Sequence, residues 1–389
     1  MKEGWEYSTI GKLCKTYSGG TPLKNVKEYY QDGNIPWLRS GEVCKKYIYE
    51  TEMFITQKGL ESSSAKYYPI DTVVVAMYGA TAAQVSILKI EATSNQAVCG
   101  ILPNSKFVPE FLYYFFCYRK NFLASQAQGG AQPNISQVKI KNLEIPVPPL
   151  SEQQRIVDYL DATFAKIDAM KANAGKALNE AKALFQAALK EMLEPKEGWE
   201  EKKLKEITSE IGDGLHGTPK YTDDGNYYFV NGSNFENGLI KIKDNTKRVG
   251  FEEYEKYRIN LNSSTVLLSI NGTIGKTAFY NGESIILGKS ACYINVLPTL
   301  LKEYLRFFLL SEFFMIYANK NARQATIINL GLKEIRNMPI PIPPLSEQQR
   351  IVETLDTLKS KVDRLQANFD KVTQECDALK QAILRQVFE

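Results

Sequence analysis

A single histidine, His216, serves a chain of 389 residues, so any Ser-His-Asp or Cys-His chemistry must pass through it. No cysteine or second histidine neighbours it in sequence, which favours a loop histidine turned to solvent or ligand over a zinc ligand. Two glycine-rich stretches invite phosphate chemistry. Gly212-Asp-Gly-Leu-His-Gly217 has the G-x-G-x-x-G spacing, but a dinucleotide cradle opens directly into a helix, and here Thr218-Pro219 follows. Asn271-Gly-Thr-Ile-Gly-Lys-Thr277 resembles the tail of a P-loop, yet Ile270 stands where the first glycine must be. The Pro148-Pro149 and Pro343-Pro344 pairs lack the Asp/Asn and aromatic neighbours of an adenine methyltransferase loop. No carboxylate pair has a spacing with a unique acid-base reading. The residues point away from catalysis and from a bound metal, and toward recognition.

Composition narrows the class further. The six cysteines at 14, 44, 99, 117, 292 and 376 form no CxxC pair and no disulfide-like density, so reduced thiols in a cytoplasmic protein are expected. No run of about 18 apolar residues is present, and the start MKEGWEYSTIGK lacks the apolar centre of a signal peptide. The net charge of +4 is small, and its distribution matters more. Residues 1–145 hold 16 Lys+Arg against 12 Asp+Glu, and residues 196–340 hold 19 against 17. Segments 146–195 and 341–389 are each at −1. The basic excess therefore sits in two long segments rather than in tails, which permits nucleic-acid binding without demanding it.

The elements that must position these residues come in duplicate. Ile145-Pro-Val-Pro-Pro-Leu-Ser-Glu-Gln-Gln-Arg-Ile-Val157 recurs as Ile340-Pro-Ile-Pro-Pro-Leu-Ser-Glu-Gln-Gln-Arg-Ile-Val352, and Lys2-Glu-Gly-Trp-Glu6 as Lys196-Glu-Gly-Trp-Glu200. Weaker matches keep the same order. Gly20-Thr-Pro22 answers Gly217-Thr-Pro219, Thr72–Gly79 answers Thr265–Gly272, and Glu110–Phe115 answers Glu303–Phe308. The chain thus repeats one unit, a segment of about 145 residues followed by a helix. Two copies are too few for a solenoid, and a pseudo-twofold pair is expected.

Each Pro-Pro pair marks a helix entry. Ser151 with Gln154, and Ser346 with Gln349, fit a capping box. Apolar or small residues then recur at 3/4 spacing: Val157, Leu160, Phe164, Ile167, Ala174, Leu178, Ala181, Phe185, Ala188 and Met192, interrupted by Lys171. The second set is Val352, Leu355, Leu358, Val362, Leu365, Phe369, Val372, Cys376, Leu379 and Ile383. Such heptads predict two helices of roughly 40 residues, about 60 Å each, paired as a coiled coil. Lys171 either fixes register in the seam or snorkels out of it. Thr72–Met77 and Thr265–Ile270 read as buried strands, and 108–118 and 301–317 as aromatic helices.

The duplicated I-P-[VI]-P-P-L-S-E-Q-Q-R-I-V entry, the G-W-E lead-in, Gly19-Gly-Thr-Pro22, Ile35–Glu42 and Ser94-Asn-Gln-Ala97 together resemble the specificity subunits of type I restriction-modification systems, over the full length. The second copy departs from the first: Tyr228–Asn234 stands where Ile35–Glu42 stood, and Gly288–Ala291 replaces Ser94–Ala97. The resemblance implies an α+β chain with two tandem target recognition domains of mixed α/β fold, at 1–147 and 196–342. They are joined by two long helices, at 148–195 and 343–389, that form an antiparallel coiled-coil spacer. It implies a non-catalytic subunit that reads a bipartite, asymmetric site on double-stranded DNA, one domain per half-site. Its partners would be two modification subunits that carry S-adenosylmethionine and methylate adenine N6, with restriction and translocase subunits joining for cleavage. No cofactor is expected on this chain and no membrane partner. A coiled-coil adaptor without sequence-specific DNA binding is the second reading, and it leaves the duplicated Gly/Asn/Lys loops without a task.

Guanine pairs bidentately with Arg or Lys and adenine with Asn or Gln, while glycine-rich loops approach phosphates. On that chemistry the candidates in the first copy are Thr21, Lys24, Arg39, Ser40, Tyr78, Thr81, Asn95, Gln96, Gln132 and Asn134. In the second copy they are His216, Thr218, Lys220, Asn231, Ser233, Asn234, Asn271, Thr273, Lys276, Lys289, Arg323 and Gln324.

Overall fold

The computed structural model describes residues 4–126, 134–323 and 328–389, so the candidates Gln132 and Gln324 lie outside the described residues. Two compact units emerge: Met1–Asn173 with Asp370–Glu389, and Ala174–Phe369. The boundary runs through both long helices, so each unit holds its own stretch of each.

In the first unit Val73–Ala76, apolar and buried at all four positions, occupies the centre of a five-stranded sheet. A strand covered on both faces needs no polar alternation, which is why it reads as a continuous Val-Val-Val-Ala run. The order is Thr16–Ser18, Val98–Ile101, Val73–Ala76, Val85–Leu88, Tyr47–Ile48, antiparallel except for the last pair. A smaller sheet pairs Ile35–Leu38 antiparallel with Phe54–Ile55 and parallel with Thr93–Ser94. The helix Pro109–Ser125 starts on a proline at its first turn and buries Phe111, Phe115 and Phe116 in the core that also contains Val73 and Val75.

The second unit repeats this plan. Thr265–Ser269 is central in the order Thr208–Asp213, Ala291–Val296, Thr265–Ser269, Thr277–Phe279, and a small sheet joins Arg248–Val249, Tyr227–Val230 and Ile285–Leu287. The aromatic segment read as one helix is two, Lys302–Leu309 and Glu312–Asn321. Ser311 ends the first and caps the second, its Oγ accepting from the Phe314 amide.

The long helices span Leu150–Leu193 and Leu345–Phe388, 44 residues each. In the first unit Leu160 and Ile167 share a core with Cys376, Ile383 and Leu384. In the second, Phe185, Leu189 and Leu193 share one with Ile351, Leu355 and Val362. Asp168 meets Lys380, Lys171 meets Asp377, and Lys182 meets Gln366, so one number falls as the other rises and the pairing is antiparallel. Lys171 leaves the seam for its rim, with Nζ 3.6 Å from Asp377. One expected seam position turns outward, and two near Leu193 stay half-buried against the core. Leu379 is 49% exposed, because the next inward turn after Cys376 belongs to Lys380, whose ammonium lies 5.3 Å from the Phe164 ring centre. Near Leu193 the buried row passes through Leu189 and Leu193, while Ala188 and Met192 are half-buried.

The helix entry also differs from the capping box. Pro149 O accepts from the Glu152 and Gln153 amides, so the helix has already begun when it reaches Ser151. Gln154 and Gln349 turn outward to Asp158 and Glu353. Their neighbours do the holding. Gln153 is fully buried; its Oε1 accepts from Val108 N (2.9 Å), and its Nε2 donates to Lys106 O (2.8 Å) and Pro148 O (2.9 Å). Gln348 does the same with Leu301 N, Thr299 O and Pro343 O. Each carboxamide clamps the start of a long helix to the start of the aromatic helix of its own unit.

Gln153→Leu or Gln348→Leu should therefore cost about 3 kcal/mol, because three buried backbone groups lose their partner. Gln154→Leu and Gln349→Leu should stay within about 0.5 kcal/mol. Chemical denaturation of the four variants checks this, and equal losses at 153 and 154 would refute the clamp.

Candidate nucleic-acid interface

The candidate loops are held by a backbone frame that is the same in both units. In the first, Gly19 N donates to Val98 O (3.2 Å), Gly20 N to Ser94 O (2.8 Å) and Asn95 N to Leu38 O (3.0 Å). Met77 N donates to Ala97 O (2.7 Å), Ile135 N to Met77 O (2.8 Å) and Ile87 N to Lys46 O (2.8 Å). In the second, the same six bonds are Gly214 N to Ala291 O (3.0 Å), Leu215 N to Leu287 O (2.7 Å) and Gly288 N to Val230 O (2.8 Å). The others are Ile270 N to Ser290 O (3.0 Å), Leu330 N to Ile270 O (3.0 Å) and Phe279 N to Gly238 O (2.9 Å). Loops from four separate stretches thereby converge on one side of each sheet system.

This register sets the equivalences. Arg39 corresponds to Asn231, Tyr78 to Asn271, Asn95-Gln96 to Gly288-Lys289, and Asn134 to Asn329. It also corrects two alignments drawn from sequence. Gly20 stands opposite Leu215 rather than Gly217, so Thr21 corresponds to His216, and Ser94 stands opposite Leu287 rather than Gly288. Gly214 of the G-x-G-x-x-G stretch has a steric purpose: a Cβ on it would lie 2.2 Å from Leu287 O, as one on Gly19 would from Ser94 O. Both loops press their backbone against the end of the parallel strand.

In the first unit Thr21, Lys24, Arg39, Asn95 and Gln96 line one cavity of about 610 Å³. Thr21 Oγ1 donates to Gln96 Oε1. Trp37 forms part of the wall; its Nε1 donates to Gly20 O (2.9 Å), and Tyr30 stands edge-on to it at 6.0 Å. Arg39 is ion-paired, with Nη2 on Glu52 and Nε 3.6 Å from Glu42, and its remaining N–H donors are not used by these contacts. Ser40 opens the short turn that follows, in which Glu42 accepts from the Arg39 amide. Tyr78 and Thr81 flank a tight turn at Gly79, and Tyr78 bridges Asn134.

The second unit assembles a different set on the same frame. His216 is 72% exposed and its Nε2 lies 2.7 Å from Asp213 Oδ2. Asn231 Oδ1 accepts from Ser290 Oγ (3.0 Å), and Asn271 Nδ2 donates to Lys289 O (3.1 Å). Asn271 bridges Asn329, which bridges Arg323. Thr218, Lys220, Ser233, Thr273, Lys289 and Arg323 are exposed. Two candidates are placed elsewhere. Asn234 is buried, its carboxamide spent on Asn231 N, Lys241 O and Thr246, so it builds the loop as Glu42 does in the first unit. Lys276 lines a separate cavity with Gly238 and Arg306. Sequence reasoning passed over Trp37, Tyr30, Lys27, Ser290 and Asn329. Trp37 and Ser290 lie inside motifs already singled out, whereas Asn329 is set only by long-range bridging.

Among the described residues no group of three or more His, Cys, Asp or Glu side chains is placed to hold a metal ion, and no helix is long and apolar enough to cross a membrane. The arrangement offers forked, amide and hydroxyl donors on loops.

Comparison with known proteins bears on family and fold. The specificity subunit of the type I restriction enzyme EcoR124I/EcoR124II from Escherichia coli is 31% identical over 167 residues, covering 41% of this chain and 41% of that protein. The corresponding MjaIX subunit from Methanocaldococcus jannaschii is 30% identical over 165 residues, so the chain spans about two fifths of each of these two relatives. The EcoKI specificity subunit of Escherichia coli K12 is 24% identical over 100% of this chain and 89% of that protein. In fold, a chain from a solved type I R-M system matches with a TM-score of 0.78 at 22% identity, over 100% of this chain and 98% of that one. The HsdS subunit from Thermoanaerobacter tengcongensis matches with a TM-score of 0.54 at 21% identity, over 100% and 97%. Residues 2–179 and 196–374 each match the type I restriction modification DNA specificity domain, and the chain belongs to that family.

Proposed function

We propose that this chain is the DNA sequence-recognition subunit of a type I restriction-modification complex, with each unit reading one half of a bipartite, asymmetric duplex site. The observation that carries this reading is the six-bond frame. It is identical in both units, yet it displays Thr21, Arg39, Tyr78 and Asn95-Gln96 in one and His216, Asn231, Asn271 and Gly288-Lys289 in the other. One scaffold with two sets of donors is what two different half-site sequences require. An adaptor would have no use for the difference.

The chain supplies recognition and positioning, and the chemistry belongs to its partners. Two modification subunits carrying S-adenosylmethionine would methylate adenine N6, and restriction subunits would join them for cleavage. Purified chain alone should transfer no methyl group from labelled S-adenosylmethionine to DNA, and transfer would sink this division of labour.

Exchanging residues 196–340 for the corresponding segment of a relative should change one half-site and leave the other intact. Mapping N6-methyladenine in cells that carry the exchange reads this directly; altered bases in both halves would count against it.

Within the second unit, Asn231→Ala should relax one base position by about 1–3 kcal/mol. Lys289→Gln should instead weaken all duplexes alike and lower the salt slope of binding by about 1. Binding titrations of the assembled complex at several salt concentrations separate the two. A uniform loss for Asn231→Ala would remove it from base readout.

A further inference from the structure

The same register that aligns the recognition loops also aligns a second pair of cavities, beside the long helices, and the two differ in one respect. Lys46 and Gly238 are equivalent through the bonds that their carbonyls accept from Ile87 N and Phe279 N. Tyr113 and Arg306 are equivalent, as are Asp161 and Asp356, through the matching glutamine clamps at Val108 N and Leu301 N. In the first unit the cavity, of about 450 Å³, has its cation paired from within. Lys46 Nζ and Tyr114 OH both donate to the Asp161 carboxylate, and the Lys46 ammonium lies 4.8 Å from the Tyr114 ring centre.

In the second unit no such pairing is found among the described residues. Gly238 replaces the lysine, and the Arg306 guanidinium fills the room it leaves: a Cβ at Gly238 would come within 2.9 Å of Cζ and Nε. Arg306 is only 9% exposed, and its Nε has no hydrogen-bond partner. Phe279 and Phe307 lie against it, at 5.6 and 5.8 Å. Asp356 and Asp363 attract it through space, yet neither forms an ion pair with it among the described residues, and burial pulls its pKa below the usual guanidinium value. A buried charge without a partner is costly, and an arginine fork is matched by two coplanar oxygens. The cavity it lines measures about 460 Å³ and also presents Lys276 and Lys359, while its one carboxylate, Glu236, is held by Lys243. Lys359 is spent on Asp363 at 2.5 Å, so Lys276 is the second available cation.

We propose that this cavity is an oxyanion-binding site, taking a carboxylate or phosphate group from outside the chain on the forked donors of Arg306 with Lys276 beside it. The first unit shows the chemistry from within, since there the Asp161 carboxylate of the long helix meets the Lys46 ammonium directly, whereas its counterpart Asp356 forms no ion pair with Arg306 among the described residues. This proposal does not rest on DNA recognition and is tested without DNA.

The test is thermal unfolding of the full chain in sodium phosphate, sodium acetate and sodium chloride at matched ionic strength. A saturable rise of roughly 2–4 °C at tenfold excess over Kd is expected in phosphate, acetate or both, but not in chloride. Phosphate alone acting would identify a phosphate ligand, and acetate alone a carboxylate. Arg306→Gln should abolish the saturable part, while Arg306→Lys, which keeps the charge but loses the fork, should retain a fraction of it. Any general salting effect is shared by all variants and cancels. Lys276→Gln should weaken the midpoint severalfold at unchanged ligand-free Tm, and decides the matter if Arg306→Gln does not fold. Equal responses in wild type, Arg306→Gln and Lys276→Gln would overturn the site. So would a response gained by Asp356→Asn and absent from wild type, because Asp356 would then be the occupant.

Discussion

Two buried carboxamides hold the architecture together. Gln153 and Gln348 sit at the mouths of the long helices with donor and acceptor atoms all engaged by backbone groups of the same unit. A buried amide tolerates few arrangements, because an unmade hydrogen bond there costs more than a made one gains. The clamp therefore fixes where each helix leaves its unit and which face it turns inward. Burial of Val157, Leu160 and Ile167 in one unit, and of Val352, Leu355 and Val362 in the other, follows from that exit. The Pro-Pro pairs assist by preventing the preceding strand from running on into the helix.

From that fixed frame the loops inherit their positions. The sheet ends and the parallel strands Thr93–Ser94 and Ile285–Leu287 supply carbonyls to which the glycine-containing loops are tied. Because these ties are main-chain bonds, the exposed side chains are free to change without loss of fold. Arg39 and Asn231 occupy one and the same place, and each is followed by a residue, Glu42 or Asn234, that caps the turn in the same manner. What is displayed differs between the units while what displays it is the same. Most of the candidate residues sit on loops positioned by a rigid scaffold.

The duplication, the two long helices and the central buried strands were legible because each rests on local periodicity or direct repetition. Val73–Ala76 and Thr265–Ser269 fell within the stretches that β-branched residues mark. What escaped was longer in range. The Ser-Glu-Gln-Gln sequence looks like a capping box, and the tertiary partner at Val108 decides that the first glutamine, not the second, carries the structural task. The stretch 301–317 shows no break in its aromatic pattern, but Ser311 finds its own backbone partners and divides it. The Gly-Thr-Pro match between the copies misled by two residues, since composition aligned what hydrogen bonding does not.

By itself the sequence determined that the chain is two copies of one α+β unit with a long helix after each, and which loops are rich in side-chain donors. Those conclusions follow from residue type, spacing and repetition, which act over a few residues. Only the tertiary structure decided which of these donors stand together, that Asn234 is spent within its own loop, that Arg39 is ion-paired with Glu52, and that Arg306 is buried with no ion-pair partner among the described residues. Each of these depends on groups distant in sequence meeting across a sheet or a helix. The energy of a buried polar group is set by the atoms around it, not by its neighbours along the chain.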